Sequence, residues 1–82
     1  MEYLVIFEKG DTSYGAYVPD LPGCIAVGKT MDEVRKLIAE AIEFHIEGLQ
    51  LAGEDVPKST SKSPVYKTPD ETSAYIEAQV PL

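Results

Sequence analysis

Several side chains of this sequence are of the types that bind metal ions or act as acids and bases. Four carboxylates lie close to the ends of apolar segments in its first half, at Glu8, Asp11, Asp20 and Asp32. A two-metal hydrolytic site needs such carboxylates to converge from rigid strands on ions about 4 Å apart. Each of these four instead lies beside a turn or a segment end, where turn formation and helix capping explain an acidic side chain. We therefore expect neither a metal site nor a cofactor.

Two other residues carry potentially reactive side chains, and each has a structural explanation. Cys24 begins a short apolar segment without a cationic neighbour to lower its thiol pKa, so we interpret it as a small buried residue. His45 lies on the apolar side of a helical pattern, which favours the margin of a core and a hydrogen bond to a backbone carbonyl. A general base also needs a positioned nucleophile, and the hydroxyls of residues 59–63 are scattered. We predict that the protein is not an enzyme.

Length and composition indicate one globular domain over residues 1–82, with 44% hydrophobic and 26% charged residues. The order of its predicted elements, given below, makes the fold class α+β. We divide the domain into residues 1–53, a Pro/Ser-rich connection at 54–72 and a last strand at 73–80. A domain of this size buries only roughly 60–65% of its unfolded surface, so a homodimer or larger homo-oligomer would add useful burial. A single cysteine excludes an intramolecular disulfide, and no signal-peptide pattern follows Met1. We expect a cytoplasmic protein without a membrane partner.

The charge of the chain limits its partners. Fourteen acidic and seven basic residues give a formal net charge of −7. A protein that binds duplex nucleic acid must displace cations from the phosphates with its own basic groups, so direct DNA binding is not expected. Opposite net charge would steer a basic protein towards this one, whereas the same acidity could also serve solubility alone.

Hydrophobic patterns predict three strands, one helix and a fourth strand. Residues 2–8, 14–18 and 24–28 have strand composition, and the unbroken apolar run of the first indicates burial on both faces. Residues 73–80 alternate as a half-buried strand, with Ala74 and Ile76 facing inward and Tyr75 outward. If this strand forms an edge of the sheet, it could pair with a second copy, so we predict an oligomer contact at Tyr75, Ile76 and Glu77.

The segment between these strand groups has the features of one long helix. Thr30 is the predicted N-cap, with the Glu33 carboxylate reaching back to it, and Gly53 fits the left-handed position that ends a helix. Apolar residues recur at three- and four-residue spacing over about 22 residues, so this helix would cover the sheet. The predicted inward positions are Val34, Leu37, Ile38, Ala41, Ile42, His45, Leu49 and Ala52.

Two prolines and a glycine stiffen the loop between the second and third strands, residues 19–24. Each proline fixes φ near about −65°, and Gly23 can turn where other residues would be strained. A preordered loop pays less entropy on binding, so it is either a recognition surface or a connection that shapes the sheet. The predicted partner contacts here are Tyr17, Asp20, Leu21 and Pro22.

This loop and the residues after it resemble the HicB-like antitoxin family. The shared pattern is Tyr-Val-Pro-Asp-Leu-Pro-Gly-Cys at residues 17–24, then Gly28, then Thr30-Met31-Asp32-Glu33 opening a helix, and Val56-Pro57 beyond Gly53. The motifs cover residues 1–60, and the last strand is matched by pattern only. The resemblance implies a partial ribonuclease-H-like fold: a three-stranded antiparallel meander, a helix packed on the sheet, and a fourth strand beside the first.

The resemblance also implies a function. Members of this family are antitoxins that cover and neutralise a small basic HicA-type toxin, which cleaves mRNA. We find no ribbon-helix-helix or helix-turn-helix pattern after the fourth strand, which agrees with the absence of a basic stripe. Two alternatives stay open: an orphan homo-oligomeric binding module without a toxin, and a small metal-dependent nuclease.

Overall fold

The chain forms a four-stranded antiparallel sheet with one long helix on one of its faces. The structure, a computed structural model, describes residues 2–60 and 71–77. Three strands, β1 (Glu2–Lys9), β2 (Tyr14–Tyr17) and β3 (Ile25–Gly28), precede helix α1 (Met31–Leu51), and strand β4 (Glu71–Glu77) follows it. The predicted order β-β-β-α-β is confirmed. The strand β4 begins two residues before the predicted one, and predicted strand positions 78–80 lie outside the described residues.

The strand order across the sheet is β3-β2-β1-β4, and each neighbouring pair is antiparallel. The prediction that the last strand lies beside the first is therefore confirmed, as is the α+β class; the ribonuclease-H-like description fits this fold only coarsely. β4 starts early because Glu71 and Thr72 continue the ladder opposite Glu8 and Phe7.

The core lies between α1 and the facing side of the sheet. Residues 3–7 of β1 are all buried, as its unbroken apolar run predicted, and every second one of them belongs to the core. β4 adds the half-buried Ala74 and Ile76 to the same side. The buried cluster consists of Tyr3, Val5, Phe7, Ala16, Val18, Leu21, Cys24, Val34, Ile38, Ile42 and Ile46.

Both ends of α1 follow from local sequence chemistry. The Thr30 hydroxyl accepts a hydrogen bond from the Glu33 backbone N–H at 3.1 Å, as predicted. The Glu33 carboxylate bonds the backbone N–H of Lys29 at 3.3 Å, one residue earlier than the predicted reciprocal bond to Thr30. At the other end, Gly53 adopts a φ of 72°, and the Glu54 N–H bonds the Leu49 carbonyl at 2.9 Å.

The buried face of α1 differs from the predicted one by part of a turn. The fully buried positions recur every four residues, at Val34, Ile38, Ile42 and Ile46. The prediction had used His45, which is half-buried, instead of Ile46, and it was wrong at Ala52, which is exposed. A strict four-residue row inclines across the helix surface, so it follows a different line from the mixed three-and-four pattern read in the sequence.

Gly28 allows the start of α1 to lie against β3. A Cβ atom at this position would be 2.8 Å from the backbone nitrogen of Val34 and 3.1 Å from its Cα. Such distances are well inside ordinary van der Waals contact, and backbone atoms cannot move aside as a flexible side chain can. The glycine is therefore required by packing at this crossing.

Candidate partner-binding surface

The proline loop consists of two consecutive turns closed at its base. The Leu21 N–H donates to the Val18 carbonyl at 3.1 Å, and the Cys24 N–H donates to the Leu21 carbonyl at 3.0 Å. In the second turn Pro22 occupies the position that proline favours, and Gly23, with φ 86°, occupies the position that needs a positive φ. The Val18 N–H also bonds the Cys24 carbonyl at 3.2 Å, so the loop is rigid because its own backbone is paired.

Two of the predicted contact residues in this loop face the interior or another segment. Leu21 has no exposed surface and belongs to the core cluster, so its side chain holds the loop onto the protein and does not present a contact. The Asp20 carboxylate accepts hydrogen bonds from the Thr60 backbone N–H at 2.9 Å and from the Thr60 hydroxyl at 3.1 Å. Pro22 is exposed and Tyr17 is half-buried.

A second hydrogen bond fixes residues 54–60, which follow α1, beside the proline loop. The Tyr3 hydroxyl donates to the Pro57 carbonyl at 2.6 Å, and the neighbouring Val56 packs against the core. Burial, with the nearby Asp20 carboxylate as a smaller cause, raises the pKa of Tyr3. Residues 54–60, which contain no helix or strand, are therefore fixed to β1 through Tyr3 and to the loop through Asp20.

The sheet face opposite α1 carries apolar and aromatic side chains at the surface. Ile25 and Val27 of β3 are 66% and 65% exposed, and Tyr75 of β4 is 49% exposed. Tyr17 is the cross-strand neighbour of Ile25, so the residues just before and just after the proline loop share this face. We call Tyr17, Ile25, Val27 and Tyr75, with the carboxylates described next, the outer sheet surface.

Glutamates lie at both ends of the β1–β4 ladder on the same face. Glu2 is opposite Glu77, and Glu8 is opposite Glu71, so side chains of like charge face each other across the two strands. Burial, followed by the charges of Glu71 and Glu8, raises the pKa of Tyr17. On this face the exposed apolar side chains therefore lie on the edge strands β3 and β4, and the carboxylates lie at the two ends of the β1–β4 ladder. Leu4 and Ile6, in the middle of the same face, are buried.

The predicted oligomer contact is divided between the two faces of β4. Tyr75 and Glu77 belong to the outer sheet surface, whereas Ile76 packs against the core cluster on the helix side. Among the described strands, β3 and β4 are the edges of the sheet. Ile76 thus stabilises the attachment of β4, in agreement with its predicted inward orientation.

The residues considered for chemistry are dispersed. Cys24 is buried, and burial raises the pKa of its thiol, so the reactive thiolate is disfavoured. His45 lies at the core margin as predicted, without a hydrogen bond to a backbone carbonyl of residues 2–60 or 71–77. Within those residues, no three His, Cys, Asp or Glu side chains come together in a way that could hold a metal ion.

Ile25 and Val27 were not identified as surface residues from the sequence. They alternate with Cys24 and Ala26, and this alternation is a signal that one of the two pairs faces outward. Which of the two pairs is buried depends on which face of the sheet the helix covers. Whether glutamates of β1 and β4 lie opposite each other depends on the register between these strands. Both facts require the tertiary structure.

Comparison with known proteins agrees with this architecture. A family model described as the HicB-like antitoxin of bacterial toxin-antitoxin systems matches residues 3–81. The chain belongs to the HicB-like antitoxin family. It is also 44% identical over 59 residues to an uncharacterised 14.9 kDa protein of Haemophilus phage HP1, a match that covers 72% of this chain and 44% of the phage protein. The chain thus aligns with less than half the length of that relative.

Solved structures of HicB proteins share the fold. The N-terminal domain of the antitoxin HicB from Burkholderia pseudomallei superimposes on this chain with a TM-score of 0.81 at 32% sequence identity. The match covers 98% of this chain and 100% of that domain. A chain of a complex between HicA3 and HicB3, a toxin-antitoxin complex, superimposes with a TM-score of 0.73 at 28% identity, covering 96% and 99%. The residues shown here therefore form a HicB N-terminal type of domain.

A binding role fits the family assignment. Within residues 2–60 and 71–77, no helix has the length and the apolar character that crossing a membrane requires. In the described part of the chain, the exposed large apolar side chains lie on the outer sheet surface, at Ile25, Val27 and Tyr75, and on α1, at Phe44 and Leu51.

Proposed function

We propose that this protein is an antitoxin that binds and neutralises a small basic mRNA-cleaving toxin of the HicA type. The observation that carries the proposal is the outer sheet surface, which has exposed apolar side chains on its edge strands and carboxylates at the ends of the β1–β4 ladder, in a chain of the HicB-like family with a net charge of −7. The chemistry of this patch is complementary to a basic protein.

The charges and the apolar side chains of this surface would contribute in different ways. Carboxylates at Glu2, Glu8 and Glu77 would steer a basic toxin to the surface and make association faster at low salt. Ile25 and Val27 would be desolvated on binding, and well-packed apolar residues at the centre of an interface usually carry most of its binding energy. Neutralisation would follow from steric cover of the toxin.

The proline loop would act beside this surface as a rigid border. Pro22 and Tyr17 are its accessible contact residues, while Leu21 and Asp20 fix the loop in place through the core and through Thr60. Tyr75, which we had assigned to an oligomer contact, belongs to the same surface. We assign it, with Glu77, to the toxin interface.

Co-expression tests the function. If a neighbouring gene encodes a short basic protein with a candidate catalytic histidine, that protein is expressed with and without this chain. We expect the basic protein to arrest growth alone, growth to be rescued by this chain, and a complex to elute from size-exclusion chromatography. Arrest without rescue and without a complex would exclude the antitoxin role for that pair, as expected of an orphan binding module.

Surface variants test the site. The double variant Ile25→Thr/Val27→Thr keeps β-branched side chains in β3 but makes the patch polar, and we expect toxin affinity to fall roughly 10-fold or more. Glu8→Gln/Glu71→Gln should slow association and flatten its salt dependence. The control Glu54→Gln/Asp55→Asn removes two exposed charges elsewhere. If both surface variants bind like the wild type and like this control, the toxin uses another surface.

A further inference from the structure

Beside its buried row, α1 carries a second apolar row with two large exposed side chains. Phe44 and Leu51 are 79% and 82% exposed, and the half-buried Leu37 continues their line one heptad earlier. Ala41 and Gly48 lie between them, so apolar or small residues recur at spacings of four, three, four and three. We call residues 37, 41, 44, 48 and 51 the helix seam.

This spacing is that of the contact line between two packed helices. Side chains at alternating spacings of four and three residues stay on one line along a helix and insert into a partner helix. The half-buried Ala41 packs on its inner side against the core. Gly48 leaves a hollow in this line, where a Cβ atom would meet nothing within 4 Å in this chain. A facing helix could therefore approach closely and place its own large side chains there.

The charged residues beside the helix seam determine what kind of partner helix could pack on it. Glu33, Glu40 and Glu47 repeat every seven residues along one border, and Glu40 and Glu47 are exposed. Glu33 is engaged with the backbone of Lys29 at the helix start. A facing helix with lysine or arginine beside its apolar row would match this border.

A second copy of the chain matches the helix seam poorly. In an antiparallel pair of identical helices, this glutamate border would face its own copy, so that Glu40 and Glu47 would repel their counterparts. In a parallel pair the border would face Ile38, His45 and Ala52, of which two are apolar. The charge pattern thus argues for a different molecule of opposite sign.

We propose that the outer face of α1 is a docking surface for a basic amphipathic helix of a partner protein. The helix seam lies on the layer opposite the outer sheet surface, so this contact is separate from the proposed toxin contact and does not depend on it. Phe44 and Leu51 would be buried by the partner, and Glu40 and Glu47 would face its basic residues.

A peptide probe tests the proposal with the whole chain. A labelled amphipathic helix of about 21 residues, with leucine at the seam positions and lysine beside them, is titrated with the protein by fluorescence anisotropy. We expect binding that weakens as salt rises from about 50 to about 300 mM, and much weaker binding of the same peptide with glutamate in place of lysine. Equal binding of both peptides, or no binding of the lysine peptide, would overturn the proposal.

Variants separate the helix seam from general attraction to an acidic protein. Phe44→Gln/Leu51→Gln should weaken lysine-peptide binding by roughly 30-fold, and glutamine preserves helix propensity at these exposed positions. Glu40→Gln/Glu47→Gln should weaken binding and flatten its salt dependence, whereas Glu54→Gln/Asp55→Asn should do neither. Circular dichroism checks the helix content of each variant.

Two results would contradict the assignment of the partner. If the charge variant at residues 54 and 55 weakens binding as much as the variant at residues 40 and 47, the peptide responds to net charge and not to the helix seam. If sedimentation equilibrium shows that the wild type is a dimer and that Phe44→Gln/Leu51→Gln is a monomer, the helix seam is occupied by a second copy.

Discussion

Replacement of Gly28 by alanine should destabilise this protein by a mechanism that can be located in the structure. The new Cβ atom would be 2.8 Å from the Val34 nitrogen and 3.2 Å from the Val34 Cβ, whereas unstrained contacts begin near about 3.5 Å. The start of α1 must therefore move away from β3 by several tenths of an ångström. Overpacking of this kind costs about 1–3 kcal/mol, which corresponds to a fall in Tm of roughly 5–20 °C for a small domain.

The matched control is Gly15→Ala in the neighbouring strand. A Cβ atom at Gly15 would meet nothing within 4 Å, and the residue does not have a positive φ. Alanine there should be neutral or stabilising by about 0.4–1 kcal/mol, because it restricts the unfolded chain. Thermal and urea unfolding followed by circular dichroism would measure both variants. A Gly28→Ala protein as stable as Gly15→Ala would refute the close approach of α1 to β3.

Three further predictions concern the proline loop and the hydrogen bonds beside it. Tyr3→Phe removes the hydrogen bond to the Pro57 carbonyl and should lower the free energy of unfolding by about 0.5–1.5 kcal/mol in urea titrations; unchanged stability would show that the bond contributes nothing. Asp20→Ala should release Thr60 and accelerate hydrogen exchange of its amide, while the amide of Leu21 stays protected by Val18; equal acceleration at both would mean that the loop itself has opened. Burial raises the pKa of the Cys24 thiol in the folded state above its unfolded value of about 9. The stability that the buried, protonated thiol contributes is therefore fully present below about pH 9, and it is lost as the pH rises through the pKa of the folded state. Cys24→Ala should therefore lose less stability between pH 8 and pH 10.5 than the wild type, and equal losses in both would contradict this origin.

Most of the fold could be predicted from the sequence because each element is specified locally. The apolar run of β1, the capped start of α1 at Thr30 and the glycine at its end are short-range signals, and each was found within two residues of its predicted place. The buried face of α1 was harder. His45 and Ile46 are neighbours on the helix, and only the direction from which the sheet approaches decides that Ile46 is inside.

The candidate site was less predictable because it depends on pairing between distant segments. The loop motif indicated Leu21 and Asp20 as contacts, yet a leucine in a polar loop can serve either a partner or the core. The structure assigns Leu21 to the core, and Asp20 to a residue 40 positions away. The opposed glutamates of β1 and β4 follow from strand register, which the sequence of either strand does not contain.

The exposed apolar residues of the helix seam and those of β3 differ in how far the fold itself explains them, and this difference supports separate roles for the two surfaces. Phe44 and Leu51 are exposed and lie outside the four-residue row that packs α1 on the sheet, so core packing does not account for their apolar character. Ile25 and Val27 suit a strand by their shape, so strand propensity explains them in part. Intrinsic propensity does not explain large apolar side chains on the exposed side of a helix. The helix seam is therefore better explained as a contact surface for a helix of a partner protein.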